Sequence, residues 1–246
     1  MRWKIQLSYL GTSYCGWQRQ PSDPSVQQTM EEAFSLILRQ PIEIIGCGRT
    51  DTGVHARSYV AHTDVEDFTL NEKLVYHLNA LLPKDIAIHH IEETSPEFHA
   101  RFDAIERYYR YHIHFHKDPF LNGLSCFLHQ HIPFDQQKMK EAASLLLQYH
   151  QFKPFCKTGS DADHFKCTLT ESAWNFTNDH AVYSIKANRF LRGMVRLIVG
   201  ACLNVGLGKI SLAELKDSLD QQTILEHAWS VPAEGLYLEN VVYPAG

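Results

Sequence analysis

Polar and apolar residues follow two rhythms along this chain, and each rhythm marks an element. Residues 3–9 place Trp3, Ile5, Leu7 and Tyr9 at every second position, the period of a half-buried strand. Residues 10–24 hold Gly11, Gly16, Pro21 and Pro24 and read as a long loop. Ser25 opens a helix: Ser-Val-Gln-Gln has the form of a capping box, and Val26, Met30, Phe34 and Ile37 follow at helical spacing. A short apolar strand is predicted at 42–47, then strands at 57–65 and 86–93 with a helix over 71–81 between them. In the second half, the strand at 105–116 sets Tyr109, Tyr111, Ile113 and Phe115 on one face. Arg110, His112, His114 and His116 occupy the other. A helix over 135–149, strands at 166–176 and 180–188, a long helix over 190–205, a short one over 211–219 and a strand at 236–243 complete the pattern. Strands and helices mix without strict alternation, which predicts an α+β fold with antiparallel sheets. The two halves share a vocabulary, as an old duplication would leave them, and no low-complexity linker separates 1–104 from 105–246.

Length and composition narrow the class. The 246 residues allow one large domain or two modest ones, and 44% hydrophobic with 21% charged residues is ordinary globular usage. Arg196 and Asn204 interrupt the best apolar stretch, 194–207, which falls short of the roughly 18 residues of a membrane span. The first residues lack the apolar core of a signal peptide. Six cysteines without a Cys-x-x-Cys pair predict reduced thiols and a cytoplasmic protein. A net charge of −5 argues against a nucleic-acid binder held by bulk charge. Segment by segment, the balance is +1 over 1–63, −6 over 64–182, +5 over 183–210 and −5 over 211–246. The carboxylate-free stretch 183–210 is a place for an anionic ligand, or a set of arginines facing water.

Four groups of residues could carry chemistry. In Gly48-Arg49-Thr50-Asp51-Thr52-Gly53, flanking glycines let the backbone turn tightly and approach a ligand, with Asp51 and Arg49 two positions apart. A plain Asx-capped turn accounts for the same pattern. Arg107-Tyr108-Tyr109-Arg110-Tyr111 interleaves aromatics and cations, which suits stacking of an unpaired base and contact with its phosphate, although Tyr111 reads as core. His112, His114 and His116 share a strand face, but same-face neighbours lie roughly 6.5–7 Å apart, so solvated or RNA-facing histidines are expected rather than a metal site. Arg192 and Arg196 stand four apart at the start of the long helix, and a shared face is expected. An arginine near apolar neighbours needs a partner, either within the protein or on a ligand.

Taken together, these blocks resemble the tRNA pseudouridine synthase A family along nearly the whole chain. The resemblance begins with Tyr9-Leu-Gly-Thr-Ser-Tyr-Cys-Gly-Trp-Gln-Arg-Gln20 and Gly48-Arg-Thr-Asp-Thr-Gly-Val-His-Ala56. It continues with Leu78-Asn-Ala-Leu-Leu-Pro-Lys-Asp85, Phe98-His-Ala-Arg101, Arg107-Tyr-Tyr-Arg-Tyr111, Met194-Val-Arg196 and Pro232-Ala-Glu-Gly-Leu236. It implies a pseudouridine synthase fold of two similar α/β halves, each with an antiparallel sheet and helices on one face, with a catalytic cleft between them. It further implies a homodimer that binds tRNA and isomerises uridines 38, 39 and 40 of the anticodon stem-loop without metal or cofactor.

By the same resemblance Asp51 is the catalytic aspartate, Tyr109 stacks on the target uracil, and Arg196 pairs with the aspartate. Arg49 helps displace the base, while Arg107, Arg110 and Arg192 are expected to bind substrate. Two positions depart from the family pattern: Gln151 replaces an acid in His150-Gln-Phe-Lys-Pro-Phe155, and Lys166-Cys-Thr-Leu-Thr170 lacks the arginine often found there. The rival readings are a non-catalytic RNA-binding or chaperone protein on the same scaffold, and a zinc nucleobase deaminase. The absence of His-x-Glu followed by Pro-Cys-x-x-Cys disfavours the deaminase.

Overall fold

Strand β1 (Arg2–Tyr9) alternates as its sequence predicts, with Trp3, Ile5, Leu7 and Tyr9 buried and the residues between them half-exposed. The computed structural model describes residues 1–66, 70–71, 73–129, 132–157, 159 and 164–244. Helix α1 (Val26–Leu38) begins at Ser25, whose hydroxyl accepts the Gln28 N–H at 3.2 Å. The predicted box is only half made, because the Gln28 amide bonds Glu32 at 2.8 Å instead of returning to the cap. The strand predicted at 42–47 shrinks to β2 (Ile45–Gly46). Its lost ladder positions are satisfied by α1: the Ile42 N–H donates to Ser35 Oγ and the Ile44 N–H to Glu31 Oε1.

In the first unit β1 lies between β3 (His55–Asp64) and β4 (Ile86–Thr94), antiparallel to both, and β2 pairs with β3. Helix α2 (Lys73–Leu81) packs on β4; residue 72, inside the predicted 71–81 helix, lies outside the described residues. The unit comprises Met1–Ile105 with Tyr237–Gly246, so the chain's last strand does not stay with the 105–246 half to which sequence order assigns it. Parallel pairing of His55 with Tyr237 and Ala56 with Leu238 draws it onto β3.

The second unit, Glu106–Leu236, is built on β5 (Glu106–His114), β7 (Leu169–Phe176) and β8 (His180–Ala187). Strand β8 is antiparallel to both neighbours, and the short β6 (Cys126–Phe127) runs parallel to β5. Helices α4 (Met194–Gly206) and α5 (Leu212–Gln221) both pack on α3 (Gln136–Leu146). The Ser172 hydroxyl donates to the Ala143 carbonyl and accepts from the Tyr183 hydroxyl, both at 2.7 Å, which ties β7 and β8 to α3. Strand β9 (Leu236–Val242) closes the chain. The fold is α+β as expected, but its pairing is mixed: among the described residues β3 with β9 and β5 with β6 pair in parallel beside the antiparallel ladders. Among the described residues no helix is long and apolar enough to cross a membrane, and all six cysteines are free thiols.

Candidate active site

The Asp51 loop rests on a base that the chain supplies from residues 9–17. Thr50 is 8% exposed, and its hydroxyl bonds Tyr9 Oη at 2.9 Å and accepts the Trp17 N–H at 3.1 Å. Gly53, at φ +78°, donates its N–H to the Tyr14 carbonyl, and the Val54 N–H closes the turn on the Asp51 carbonyl at 3.1 Å. Trp17 stacks on Tyr59 with centroids 4.1 Å apart, and the Tyr59 hydroxyl donates to the Gly48 carbonyl. Two glycines of the 9–17 block are sterically required. A Cβ on Gly11 would lie 2.0 Å from the Val54 carbonyl oxygen, and one on Gly16 would lie 2.2 Å from that of Thr50. Gly16 also holds φ +86°, a conformation that side-chain-bearing residues rarely adopt. Buried His55 accepts the Gly11 N–H on Nδ1 at 2.9 Å. The two sequence blocks are thus one packed object, with Asp51 half-exposed and Arg49 exposed at its rim.

The second unit holds the other candidates. Tyr109 on β5 is half-buried and meets Phe190 edge-on at 5.1 Å, so its ring is braced on one side. Tyr111 is wholly buried, as core, and donates from its hydroxyl to the Pro232 carbonyl at 2.9 Å. Burial pushes its pKa far above the ordinary phenol value, with Cys126 adding to the rise and Arg196 opposing it. Arg196 on α4 donates from Nε to the Val231 carbonyl at 2.7 Å. Arg107 donates to the Asn188 carbonyl at 2.8 Å. Arg110 is exposed, bonds the Tyr108 hydroxyl and lies 5.1 Å from the centre of that ring.

Two expectations are overturned. Arg192 and Arg196 do not share a helix face, because α4 begins at Met194 and Gly193 caps it at φ +70°. Arg192 therefore lies in the preceding turn, exposed, with its carbonyl accepting the Lys157 N–H. The histidine triplet is not a solvated face either. His114 is 6% exposed, packed 5.3 Å from Phe127, and burial lowers its pKa; His112 is half-buried. Phe127, the register partner of His114 on the paired β6, lies beside the imidazole, and of the three only His116, beyond the strand end, is exposed, 3.5 Å from Asp179. Among the described residues no group of three or more His, Cys, Asp or Glu side chains is arranged to hold a metal ion.

Residues that sequence reasoning missed are the supports. Tyr9, Thr50, Trp17 and Tyr59 give no local signal of that supporting role, although Tyr9, Trp17 and Thr50 fall inside motif blocks. The two departures from the family pattern meet: Gln151 and Lys166 form an isolated antiparallel bridge. An open groove of about 460 Å³ between α3 and α5, lined by Gln137, Lys140, Glu141, Ser144 and Lys216 among others, contains none of the candidate residues.

Comparison with known proteins bears on the whole chain. A family model described as tRNA pseudouridine synthase matches residues 6–103 and 142–244. The chain is 46% identical to tRNA pseudouridine synthase A of Porphyromonas gingivalis, over 99% of this chain and 98% of that one. It is 42% identical to the Bacteroides fragilis protein of the same name (99% and 96%) and 38% identical to that of Picosynechococcus (98% and 88%). Among solved structures, a CRISPR endoribonuclease bound to RNA aligns with a TM-score of 0.21 at 11% identity, too low to bear on the fold. A family model over most of the chain and full-length identity at this level settle the lineage: the chain belongs to the tRNA pseudouridine synthase family of isomerases.

Proposed function

We propose that this protein isomerises uridine to pseudouridine at positions 38, 39 and 40 of the tRNA anticodon stem-loop, with Asp51 as the essential catalytic residue. The observation that carries the reading is the Asp51 loop: a half-exposed carboxylate on a backbone clamped by Thr50, Gly16 and Gly53, in a chain of this family. The reaction breaks the N1–C1′ glycosidic bond, turns the uracil and rejoins it through C5. A carboxylate beside C1′ can attack it, stabilise oxocarbenium character or take a sugar proton. Each route needs the carboxylate held in place, and the clamped loop supplies that.

Tyr109 stacks on the displaced uracil, and Phe190, meeting the tyrosine ring edge-on at 5.1 Å, helps to fix that ring in place. Arg196 balances the Asp51 charge, and Arg49 helps move the base out of its stack, at a cost least near weak pairs. Arg107, Arg110 and Arg192 bind the phosphate backbone. The working form is a cytoplasmic homodimer that uses no metal or cofactor. The test is incubation with unmodified tRNA, followed by mapping of pseudouridine by carbodiimide treatment and primer extension. Product at 38–40 with the wild type and none with Asp51→Ala is expected. Full activity of Asp51→Ala overturns the catalytic assignment, and product elsewhere in the tRNA overturns the site.

A further inference from the structure

Three residues of α4 spaced four apart, Arg196, Gly200 and Asn204, meet three alternate residues of the segment that follows α5. Asn204 is 2% exposed and its Nδ2 donates to the His227 carbonyl at 2.7 Å. Gly200 faces the Trp229 carbonyl so closely that a Cβ would lie 1.8 Å from its oxygen. Arg196 and Val231 bond twice: Arg196 Nε donates to the Val231 carbonyl at 2.7 Å, and the Val231 N–H donates to the Arg196 carbonyl at 3.4 Å. The periods match. Four residues of helix rise about 6 Å, and two residues of extended chain span about 6.6 Å, so such a segment can run antiparallel along one helix ridge in step. Its far end is pinned by the Tyr111 hydroxyl on the Pro232 carbonyl and by Gly235, where a Cβ would lie 2.7 Å from the His112 carbonyl oxygen.

We infer that residues 227–231 form a strap along α4 that sets the direction of the Arg196 guanidinium, with Asn204 and Gly200 as positioning residues. A guanidinium is planar, so fixing Nε on a carbonyl fixes the plane in which its two terminal nitrogens lie. Nothing in that bond cancels the charge. Asn204 sits two helical turns from Arg196 and acts on it through the strap. Gly200 is glycine because any side chain would lift the strap off the helix between its two hydrogen-bonded ends. The inference rests on the assignment of Arg196 in the reading above.

The experiment is a double-mutant cycle on single-turnover pseudouridine formation and tRNA binding, with Arg196→Lys, Asn204→Ala and the pair. Lysine keeps the charge and loses the Nε donor. Asn204→Ala is expected to slow turnover roughly 10- to 100-fold, with tRNA Kd within about twofold of wild type. In the Arg196→Lys background the same change is expected to add less than about threefold, since there is no Nε grip left to direct. A strap that only stabilises the fold predicts multiplied losses, and that result overturns the inference. So does wild-type turnover of Asn204→Ala. If Asn204→Ala does not fold by circular dichroism, Ser230→Gly, an exposed site in the strap, replaces it in the cycle under the same criteria. Failure of the reading itself looks different: the wild type makes no pseudouridine, or Arg196→Lys turns over normally.

Discussion

Thr50 offers the sharpest test of how the catalytic loop is held. Its hydroxyl bonds Tyr9 Oη at 2.9 Å and the Trp17 N–H at 3.1 Å, both in buried surroundings. Thr50→Val keeps the shape and removes both bonds. Each buried bond is worth about 1 kcal/mol net, and a group left desolvated costs about 1–3 kcal/mol. The Trp17 N–H retains a longer contact, 3.4 Å, to the Thr50 carbonyl, which offsets part of its loss. The sum is a destabilisation of about 2–3 kcal/mol. Thr50→Ser keeps the hydroxyl and loses one methyl, about 1 kcal/mol. Urea unfolding of the three proteins, followed by circular dichroism, should rank them wild type, serine, valine. Turnover should follow the same order, with valine roughly tenfold or more below serine and tRNA Kd unchanged, because Asp51 follows directly on the freed residue. Equal stability of the two variants, or a valine variant with normal turnover, refutes the claim that this hydroxyl clamps the loop.

Gly16→Ala is expected to abolish activity while its far-UV spectrum stays near wild type, since a Cβ at φ +86° would also meet the Thr50 carbonyl oxygen; normal product yield would show that the 9–17 block does not shape the loop. His62 is buried, accepts the Ala100 N–H on Nδ1, and has its pKa lowered to about 4, first by burial and then by Arg2 and His99. The unfolded chain then binds the extra proton between pH 6.5 and 4, so this stability is present above pH 6.5 and falls as the pH drops. About 2 kcal/mol should be lost by pH 5 in urea titrations, and His62→Asn should flatten that loss. For tRNA binding, log Kd against log salt should have a modest slope, roughly 0.9 per phosphate neutralised; a slope near that of ten contacts contradicts a few-contact interface.

Much of the fold was legible because burial imposes period. The alternation of β1 and the helical spacing of α1 are each dictated by one apolar face, and both elements form where that face predicts them. The errors fall where a distant group took over a local role. Backbone donors at Ile42 and Ile44 are met by α1 side chains, so the strand predicted there is mostly absent. His114 is polar by type, yet it is buried, with the Phe127 ring of β6 packed beside it. One backbone angle at Gly193 separates Arg192 from the helix whose ridge it was expected to share. The Asp51 motif itself stood out in sequence, but its support did not, because Tyr9 and Trp17 reach it across more than thirty residues with no periodicity linking them.

Charge shows most clearly what a count along the chain omits. The carboxylate-free stretch 183–210 looked like one cationic surface, yet its members differ in what holds them. Lys186 bridges Glu171 at 2.8 Å, which raises its pKa and commits its charge to a partner from the acidic stretch 64–182. A lysine so paired serves a phosphate only by giving up the carboxylate. Arg189 is met by an imidazole, His164 Nε2 at 2.7 Å, and Arg196 by the Val231 carbonyl at 2.7 Å. Neutral acceptors of this kind orient a guanidinium without discharging it, whereas a carboxylate does both. Arg110 follows the same rule through the Tyr108 hydroxyl. A guanidinium that rests on a neutral acceptor is aimed by that bond, and the bond itself leaves the charge to act on an anionic substrate. A protein of net charge −5 can hold RNA on such terms because orientation, not the total, decides where the positive potential points.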